Sequence, residues 1–396
     1  MKHPKRILII SLDSDLYLSS FGIKVPGDPY LRHCHYQKVL KERSSKKSEF
    51  IIIVFTNKKI NKKVKNLKQD QELKIIGTNS IHRIFFSIDI FFQTIKLIKN
   101  KWRPTLITTQ NPWGEAVISL ILSKFIKAGY LSQIHIDISS KYWLHEKYFI
   151  NHFRSICSLL VMYSSSFIRV VSKVSARNIS QKYKINANKF IVAPVPVSLI
   201  EDKEEIIKTL CKKTHEGKFN ILFVGRFEKQ KNLSLWIESA FKIASKNNNV
   251  IFNLIGYGSE LKTIKTLVSF SKYKEKFNFY DKVNYEKLSI HFLKNHLLLL
   301  TSFYEGFGRV ILEAMNYGLP CISTASGGPE DLIINGMNGY ITNFNSNNIT
   351  NLCLKLIDNK DNYILMGKNS LKFANDKFNT KKLTNQIIDS YIKSSI

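Results

Sequence analysis

The sequence is poor in cysteine, and its five cysteines are spread widely over the 396 residues. They are Cys34, Cys157, Cys211, Cys321 and Cys353. Their number is odd, and none belongs to a CxxC pair or to the Cys/His spacing of a zinc site. This pattern argues against a disulfide framework and against a zinc centre. A reducing compartment, the cytoplasm, fits this cysteine usage best.

Long hydrophobic runs are also missing. The most apolar long stretch, residues 81–98, is interrupted by charged side chains such as Arg83 and Asp89. No segment therefore has the roughly 20 apolar residues that a membrane span needs. The first apolar run, residues 7–12, stops at Asp13, which is too short for the core of a signal peptide, and it predicts a strand instead. Any membrane contact is expected to be peripheral.

Acidic residues are scarce, because 30 Asp and Glu stand against 60 Lys and Arg, which gives a formal charge of +30. Such an excess favours phosphate-rich ligands, nucleic acid or an anionic lipid surface as partners. Two interpretations of the charge stay open. It either attracts the protein to an anionic membrane, or it reflects an AT-rich coding bias that also enriches Asn and Ile. The basic residues form no recognised nucleic-acid-binding motif, so no nucleic-acid partner is expected.

Hydrophobic residues make up 44% of the sequence, which is ample for packed cores. A chain of this length exceeds what one hydrophobic core usually serves, so two domains of about 200 residues each are predicted. Short β-branched runs alternate with amphipathic segments through the first half, at residues 7–11, 50–56, 105–109, 130–136, 168–171 and 190–193. This alternation is typical of buried parallel strands joined by helical crossovers.

The alternation stops near Pro194, and a charged stretch at residues 201–217 connects it to the second half. There it resumes with predicted strands at residues 219–224, 250–255, 277–280, 297–301 and 320–324 and ends with a predicted helix after Gly328. We therefore divide the chain into a domain of residues 1–200, a second domain of residues 201–378, and a final helix at 379–396 that packs back toward the first domain. Both domains are predicted to be doubly wound α/β folds. Two such domains that face a cleft would bind ligands at the carboxyl ends of their strands.

The segment from Ser302 to Met315, SFYEGFGRVILEAM, joins a predicted strand to a predicted helix. Its loop leads into a helix N-terminus, where free N–H groups and the helix dipole favour an anion such as pyrophosphate. Glu305 lies in the loop, and Glu313 follows about two helical turns later. Two carboxylates can thus reach one ligand at different points. The alternative is that Glu313 lies on an exposed helix face and that Glu305 only complements the helix N-terminus.

This segment resembles the paired-glutamate signature of family 4 of the retaining glycosyltransferases, which have the GT-B fold of two Rossmann-like domains facing a cleft. Three further stretches resemble elements of the same family in the expected order: GRFEKQKN from Gly225, IGYGSE from Ile255 and ASGGPE from Ala325. Four ordered motifs in fitting strand and loop contexts are a far stronger signal than a single GxG. The resemblance covers about residues 219–343.

The resemblance implies a binding site for a nucleotide diphosphate sugar, a UDP or GDP sugar, with no further cofactor. The implied donor-binding residues are Gly27, Gly225, Arg226, Lys231, Gly306, Phe307, Gly308 and Glu313. Arg226, Lys231 and the loop amides would neutralise the charge that builds up on the leaving phosphate. The sequence has no acidic metal-binding cluster, so the predicted reaction needs no metal. Taken alone, Arg226 and Lys231 would be ordinary solvated charges.

Three individual roles follow from the resemblance. Glu313 would bind the ribose hydroxyls, and Glu305 would be catalytic by holding the sugar near the reacting carbon. His135, directly after a predicted strand, resembles the family histidine that contacts the donor sugar, and a structural role is its alternative. Gly27 stands for the glycine-rich loop after the first strand, although a Gly-Gly pair is missing there. The alternative for Gly27 is an ordinary turn that opens a helix.

The stretch of residues 138–153 is rich in aromatic and basic side chains. A membrane-facing surface is one interpretation. Packing between helices is the expected one, because aromatic side chains are more often buried than exposed.

The expected function is a retaining, metal-independent hexosyltransferase that acts on a glycan or lipid-linked acceptor in surface polysaccharide synthesis. The pathway is a family-level analogy. The expected location is the cytoplasm, with peripheral contact at the inner face of an anionic membrane. Two alternatives stay open, namely a nucleotide-sugar epimerase on the same fold and a basic nucleic-acid-binding protein. A phosphorylase of the pyridoxal type would need a cofactor lysine context and a much longer chain, and neither is present.

Overall fold

The computed structural model of the chain describes residues 3–25, 29–197, 200, 202–213, 217–281, 283 and 285–395. The strands are β1 (Arg6–Ser11), β2 (Glu49–Val54), β3 (Lys74–Gly77), β4 (Leu106–Thr109), β5 (Gly129–Ile134), β6 (Phe167–Val170), β7 (Phe190–Val192), β8 (Phe219–Val224), β9 (Val250–Ile255), β10 (Phe277–Tyr280), β11 (Leu297–Leu300), β12 (Cys321–Thr324) and β13 (Gly339–Thr342).

The helices up to the second sheet are α1 (Ser14–Ser19), α2 (Pro29–Arg43), α3 (Lys58–Val64), α4 (Phe86–Lys99), α5 (Glu115–Phe125), α6 (Lys141–Glu146), α7 (Tyr148–Ser164), α8 (Lys173–Tyr183) and α9 (Lys203–Lys213). Those that follow are α10 (Leu233–Lys246), α11 (Leu261–Ser269), α12 (Tyr285–Lys294), α13 (Arg309–Met315), α14 (Ser346–Ile357), α15 (Lys360–Lys377) and α16 (Thr380–Ser394). Short 3-10 turns cover Arg83–Phe85, Ala187–Lys189, Lys229–Lys231, Lys274–Lys276 and Gly328–Asp331.

The strands form two separate sheets. The first has the order β3-β2-β1-β4-β5-β6-β7, and the second has the order β10-β9-β8-β11-β12-β13. All the strand pairs are parallel. Each sheet reverses its order beside its first strand, at β1/β4 and at β8/β11. In doubly wound sheets such switch points open the crevice in which ligands bind, so the two doubly wound domains predicted from the sequence are confirmed.

Alternation along the central strands explains why helices cover both faces of the first sheet. Ile7 and Ile9 of β1 pack into one core, together with side chains of α2 and α16. Leu8 and Ile10 point the other way, into a core that α4, α5 and α7 complete. Because successive side chains of a strand face opposite sides, a continuous apolar run is what a strand buried on both faces requires.

Helix α16 crosses back to the first sheet. Tyr391 lies against Phe50 of β2, with ring centroids 5.8 Å apart. Asp389 forms an ion pair of 2.7 Å with Arg43 of α2. The carbonyl of Ser394 is so close to Gly129 of β5 that a Cβ on this glycine would lie 1.8 Å from its oxygen. The core of the first domain therefore includes the most C-terminal helix of the structure.

Three elements were not predicted from the sequence. They are β3, β13 and α9, which falls in the charged stretch taken as a connection. The helix predicted after Gly328 is a 3-10 turn. The expected packing of residues 138–153 is wrong for its second part, because Trp143 is buried whereas Tyr148, Phe149 and Phe153 are exposed. In the described part of the chain, no helix has the length and apolar character needed to cross a membrane.

Candidate active site

The loop after β11 is held in place by the loop after β12. The Glu305 amide donates to the Ser326 carbonyl (2.7 Å), and the Gly328 amide donates to the Glu305 carbonyl (3.0 Å). A Cβ on Gly328 would lie 2.3 Å from the Cα of Phe307. The glycine pair of ASGGPE therefore lets the backbone of the EGFG loop rest directly on its neighbour.

Glu305 is buried and makes two side-chain contacts through one oxygen. The ammonium of Lys231 forms an ion pair with Oε1, and Oγ of Ser302 donates to the same Oε1 at 2.7 Å. The Lys231 and Glu305 side chains are only 12% and 11% exposed. In such an environment a charge pair interacts far more strongly than it does in water. The structure thus brings the Lys231 ammonium and the Glu305 carboxylate, both predicted site residues, into contact at the start of the EGFG loop (residues 305–308).

The turn that carries Lys231 is joined to the strand end that carries Glu305. Oγ1 of Thr301 donates to the Lys231 carbonyl at 3.1 Å, and the Phe303 amide donates to the Gln230 carbonyl at 2.9 Å. Nε2 of Gln230 donates to the Tyr304 carbonyl at 2.8 Å. The GRFEKQKN and SFYEGFG motifs therefore behave as one rigid unit at the β8/β11 switch point.

Gly225 and Arg226 are the first two residues of the GRFEKQKN motif in this unit. Arg226 is exposed, and its Nη2 donates to Oε1 of Gln230 at 3.4 Å. Gly256, with a φ of 146°, packs so closely that a Cβ on it would lie 1.8 Å from the Gly225 carbonyl oxygen. This φ is one that residues with a side chain rarely adopt. The IGYGSE motif therefore supports the backbone that carries Arg226, whose guanidinium remains free to reach into the cleft.

Glu313 lies on α13, about one turn after the loop ends at Gly308. Its side chain is 11% exposed and forms an ion pair of 3.2 Å with Nη2 of Arg309. Burial raises the pKa of Glu313, and the Arg309 charge acts against that rise. Glu313 is therefore not an exposed carboxylate of a solvated helix face. Gly308 directly precedes this helix with a φ of 83°, a left-handed conformation that only glycine adopts at little cost.

His135 directly follows β5 and touches the loop from the other side of the cleft. A Cβ on Gly306 would lie 1.8 Å from the His135 carbonyl oxygen. Burial, and then the charges of Arg169 and Arg32, lower the pKa of the His135 imidazole to about 3. The ring is therefore neutral near pH 7, and it can exchange hydrogen bonds with a neutral ligand such as a sugar.

Comparison with known proteins agrees with this geometry. Residues 203–373 match the family described as Glycosyl transferases group 1. An uncharacterized 41.2 kDa protein in the cps region of Klebsiella pneumoniae is 30% identical over 214 residues, which cover 52% of this chain and 56% of that protein. An uncharacterized glycosyltransferase of Methanocaldococcus jannaschii is 31% identical over 170 residues, which cover 42% and 46%.

The chain thus spans about half the length of the curated relatives that it matches. Among solved structures, Anabaena HepE in complex with UDP superimposes with a TM-score of 0.72 at 16% identity, and the match covers 98% of this chain and 100% of that one. At this identity the likeness shows the fold, which is GT-B. The expected fold and the resemblance to glycosyltransferases are therefore confirmed.

Contacts across the cleft join the second domain to the first domain. The hydroxyl of Tyr304 donates to the carboxylate of Glu146 on α6. The rings of Tyr142 and Phe303 stack with centroids 4.9 Å apart. Asp331 accepts a hydrogen bond from the Lys173 amide at the start of α8, where a carboxylate complements the helix dipole. These contacts hold the EGFG loop against the first domain.

Arginines gather around the cleft, and of these the sequence reasoning had placed Arg32 near it but had missed Arg169 and Arg309. Arg169, buried in β6, donates through Nε to the Ala193 carbonyl at 2.9 Å, and its Nη2 has no hydrogen-bond partner within the described ranges. The same is true of Nε of Arg309. Burial lowers the pKa of Arg32, and the charges of Arg309 and Arg169 lower it further. The one signal in the sequence was a single Arg in the apolar run FIRVV.

The structure does not test two predictions, the donor-binding role of Gly27 and independence from metal. Gly27 lies outside the described residues, so its donor-binding role stays a prediction. No group of three or more His, Cys, Asp or Glu side chains within the described ranges could hold a metal ion, and independence from metal stays a prediction as well.

Proposed function

We propose that the chain is a retaining glycosyltransferase that moves a hexose from a nucleotide diphosphate sugar to a glycan or lipid-linked acceptor. The observation that carries the proposal is the buried Lys231–Glu305 pair at the β8/β11 switch point. It combines a cation suited to a diphosphate with a carboxylate suited to sugar hydroxyls. The family match of residues 203–373 supports the same assignment, and HepE was also crystallised with UDP-glucose.

The pair gives a simple account of donor binding. A diphosphate that enters the cleft would take over the Lys231 ammonium, with Arg226 and the amides of Gly306 to Gly308 as further partners. Glu305 would then lose its partner and accept hydrogen bonds from the sugar. Lys231 would stabilise the charge that grows on the leaving phosphate. One side chain would thus link nucleotide binding to sugar placement.

The transfer step needs no nucleophile from the protein. In the proposed reaction the bond between the anomeric carbon and the diphosphate oxygen breaks, and the acceptor hydroxyl attacks from the same side. The acceptor's proton passes to the departing phosphate. Glu305 positions the sugar, and the neutral imidazole of His135 hydrogen-bonds to it from the first domain. Glu313, about one turn along α13, binds the ribose hydroxyls.

Location and pathway are part of the proposal. The scattered free cysteines fit a cytoplasmic enzyme, and the arginines around the cleft favour an acceptor or donor with anionic groups. A role in surface polysaccharide synthesis agrees with the Klebsiella relative, which is described as a protein in the cps region.

A thermal-shift screen against UDP-, GDP- and ADP-sugars tests the proposal. A ligand at 100 times its dissociation constant stabilises the folded state by about 2.7 kcal/mol, so at least one of these donors should raise the unfolding temperature. A folded protein that responds to none of them contradicts the proposal. Analysis of the products then distinguishes transfer, which needs an acceptor, from epimerisation of the donor alone. EDTA should leave the transfer rate unchanged.

A further inference from the structure

Three neighbouring helices of the first domain have an unusual outer surface. Helix α5 packs between α4 and α7, and all three cover the same side of the first sheet. Their outward side chains include Ile88 and Phe92 of α4, Phe125 of α5, and Phe149, Phe153 and Leu160 of α7, all of them exposed. We name this surface the α4–α5–α7 face. Phe125 is 76% exposed and Phe149 is 85% exposed, so neither is part of the core.

Helix α7 shows a partial reversal of the polarity expected for a water-facing helix, because it buries polar side chains beside apolar ones and exposes large apolar ones. Asn151, Ser155 and Ser158 are buried, whereas Phe149 and Phe153 point to the outside. A helix on the surface of a protein in water normally buries its apolar stripe and exposes its polar one. Apolar side chains at this spacing, turned away from the core, require another apolar medium or partner.

The same partial reversal occurs on α5, so it is not confined to one helix. Ser119 and Ser123 lie on the buried side of α5, while Ile121 and Phe125 are exposed. A monomeric protein rarely exposes apolar side chains on several adjacent elements unless they form a binding surface. The α4–α5–α7 face is therefore a surface on which something docks.

The charged side chains of the α4–α5–α7 face indicate which kind of partner docks on it. The structure describes α4, α5 and α7 in full, and their exposed charged side chains are Lys96, Lys99 and Lys124. The two acidic residues face elsewhere, since Glu115 is buried and Asp89 accepts a hydrogen bond from Ser80. Aromatic and aliphatic side chains bordered by lysine suit the boundary between lipid headgroups and acyl chains, and lysine is attracted to anionic headgroups.

We propose that the α4–α5–α7 face docks on an anionic lipid bilayer, with the aromatic side chains in the headgroup region and the lysines against the lipid charges. A second copy of this chain fits less well. A symmetric dimer brings the same surface of both copies together, so the lysines of both copies would enter an apolar interface to which these helices bring no exposed acidic side chain. An anionic bilayer instead supplies both the apolar phase and the opposite charge.

Where the proposed function holds, this surface also places the cleft near the membrane. Nδ2 of Asn151 on α7 donates to the Trp143 carbonyl on α6 at 2.6 Å, and Glu146 at the end of α6 accepts from Tyr304 in the EGFG loop. One short helix thus separates the docking face from the candidate site. A lipid-linked acceptor embedded in the bilayer could present its head group there without leaving the membrane.

Vesicle binding tests the surface independently of any donor or acceptor. The purified chain is mixed with vesicles of phosphatidylcholine alone, or with about one third phosphatidylglycerol, and the bound fraction is measured by flotation. We expect binding to the anionic vesicles that weakens as salt rises. The double variant Phe149→Glu/Phe153→Glu should lower the partition at least about tenfold. Lys96→Gln/Lys99→Gln should weaken binding to the anionic vesicles only.

Phe270→Glu is the matched control. Phe270 is 87% exposed on the second domain, so the same change away from the face should leave vesicle binding unaltered. Circular dichroism and the unfolding temperature check that each variant is folded. The proposal is overturned if the folded wild type binds neither vesicle, or if Phe149→Glu/Phe153→Glu binds as Phe270→Glu does. It is also overturned if the wild type is a dimer in solution and the double variant is a monomer.

Discussion

Lys231 and Glu305 form a buried ion pair between two loops that are 74 positions apart in the sequence. Each charge is largely removed from water, so each depends on the other for its solvation. Breaking a buried pair by removing one partner is strongly destabilising, because it leaves the other charge uncompensated. The donor site and the stability of the second domain are therefore linked through one contact.

Replacing Lys231 by methionine should lower the free energy of unfolding by about 3 kcal/mol and abolish the thermal response to nucleotide sugars. The double variant Lys231→Met/Glu305→Gln should be less destabilised than Lys231→Met alone, since no unpaired charge remains. Urea unfolding of the wild type, Lys231→Met and the double variant measures these free energies of unfolding. Lys242→Met, which breaks the exposed pair with Glu238, should cost less than about 1 kcal/mol. Equal losses for both lysines would contradict the buried pair.

Replacing Glu305 and Glu313 in turn by glutamine should affect two different steps, catalysis and nucleotide binding. Glu305→Gln is expected to keep the thermal response to nucleotide and to lower kcat by at least about 100-fold, because the sugar loses a charged partner. Glu313→Gln should instead weaken the response to nucleotide itself, because a carboxylate that accepts from the ribose hydroxyls is lost. Titration calorimetry with UDP or GDP provides the binding measurement. Two variants with the same profile would show that the assigned roles are wrong.

Gly306→Ala should stop catalysis while both domains stay folded. The new Cβ would lie 1.8 Å from the backbone oxygen of His135, and the backbone of β5 cannot give way locally. The EGFG loop must therefore retreat from the first domain, and a misplacement of about 1 Å can cost 100-fold in rate.

Gly336→Ala is the control for this variant, because Gly336 has open space where its Cβ would be, even though its φ of 78° makes its backbone position the less favourable one for alanine. Its kcat/KM should stay within about twofold of the wild type, since only local backbone strain is added. If Gly306→Ala is as active as Gly336→Ala, the two domains do not approach each other through this loop.

Stability should fall in mild acid because of buried histidines. Burial lowers the pKa of His33 and of His296 to about 4, while an unfolded histidine has a pKa of about 6.5. Between these values the unfolded state binds more protons than the folded state, so stability decreases as the pH falls from 6.5 to 4. Each group contributes about 1.4 kcal/mol per pH unit within this window.

His296 offers a direct check of this dependence. Its Nδ1 accepts from the Asn220 amide at 3.0 Å, a contact that a protonated ring cannot make. Thermal unfolding of His296→Gln should therefore depend less steeply on pH between 6.5 and 4 than that of the wild type. His35→Gln, at an exposed position of α2, should leave the slope unchanged. Parallel slopes for all three proteins would exclude His296 as a source of the acid sensitivity.

The sequence predicted the second domain almost strand by strand, because its buried strands are short apolar runs that end in motifs with glycine. β8, β9 and β10 have the predicted bounds. β13 was missed because GYIT has only two apolar side chains and follows a turn that reads as a loop. α9 was missed because its many lysines hide the two residues that anchor it, Ile206 and Leu210.

In the candidate site, the resemblance of four ordered motifs selected Arg226, Lys231 and both glutamates, each of which lies next to a strand end or on the following helix. Contacts between distant segments were not readable. Nothing in the sequence pairs Tyr304 with Glu146, because the two come from different domains. The exposed aromatics of α7 were misjudged for a related reason, since periodicity shows a stripe but not the direction in which it faces.

Helix α16 has a consequence for how the chain is made. Tyr391 and Ile387 fill the core beneath β1 and β2, so the first domain lacks part of its interior until these residues have been translated. The core of the first domain can therefore close only after the whole second domain has been synthesised.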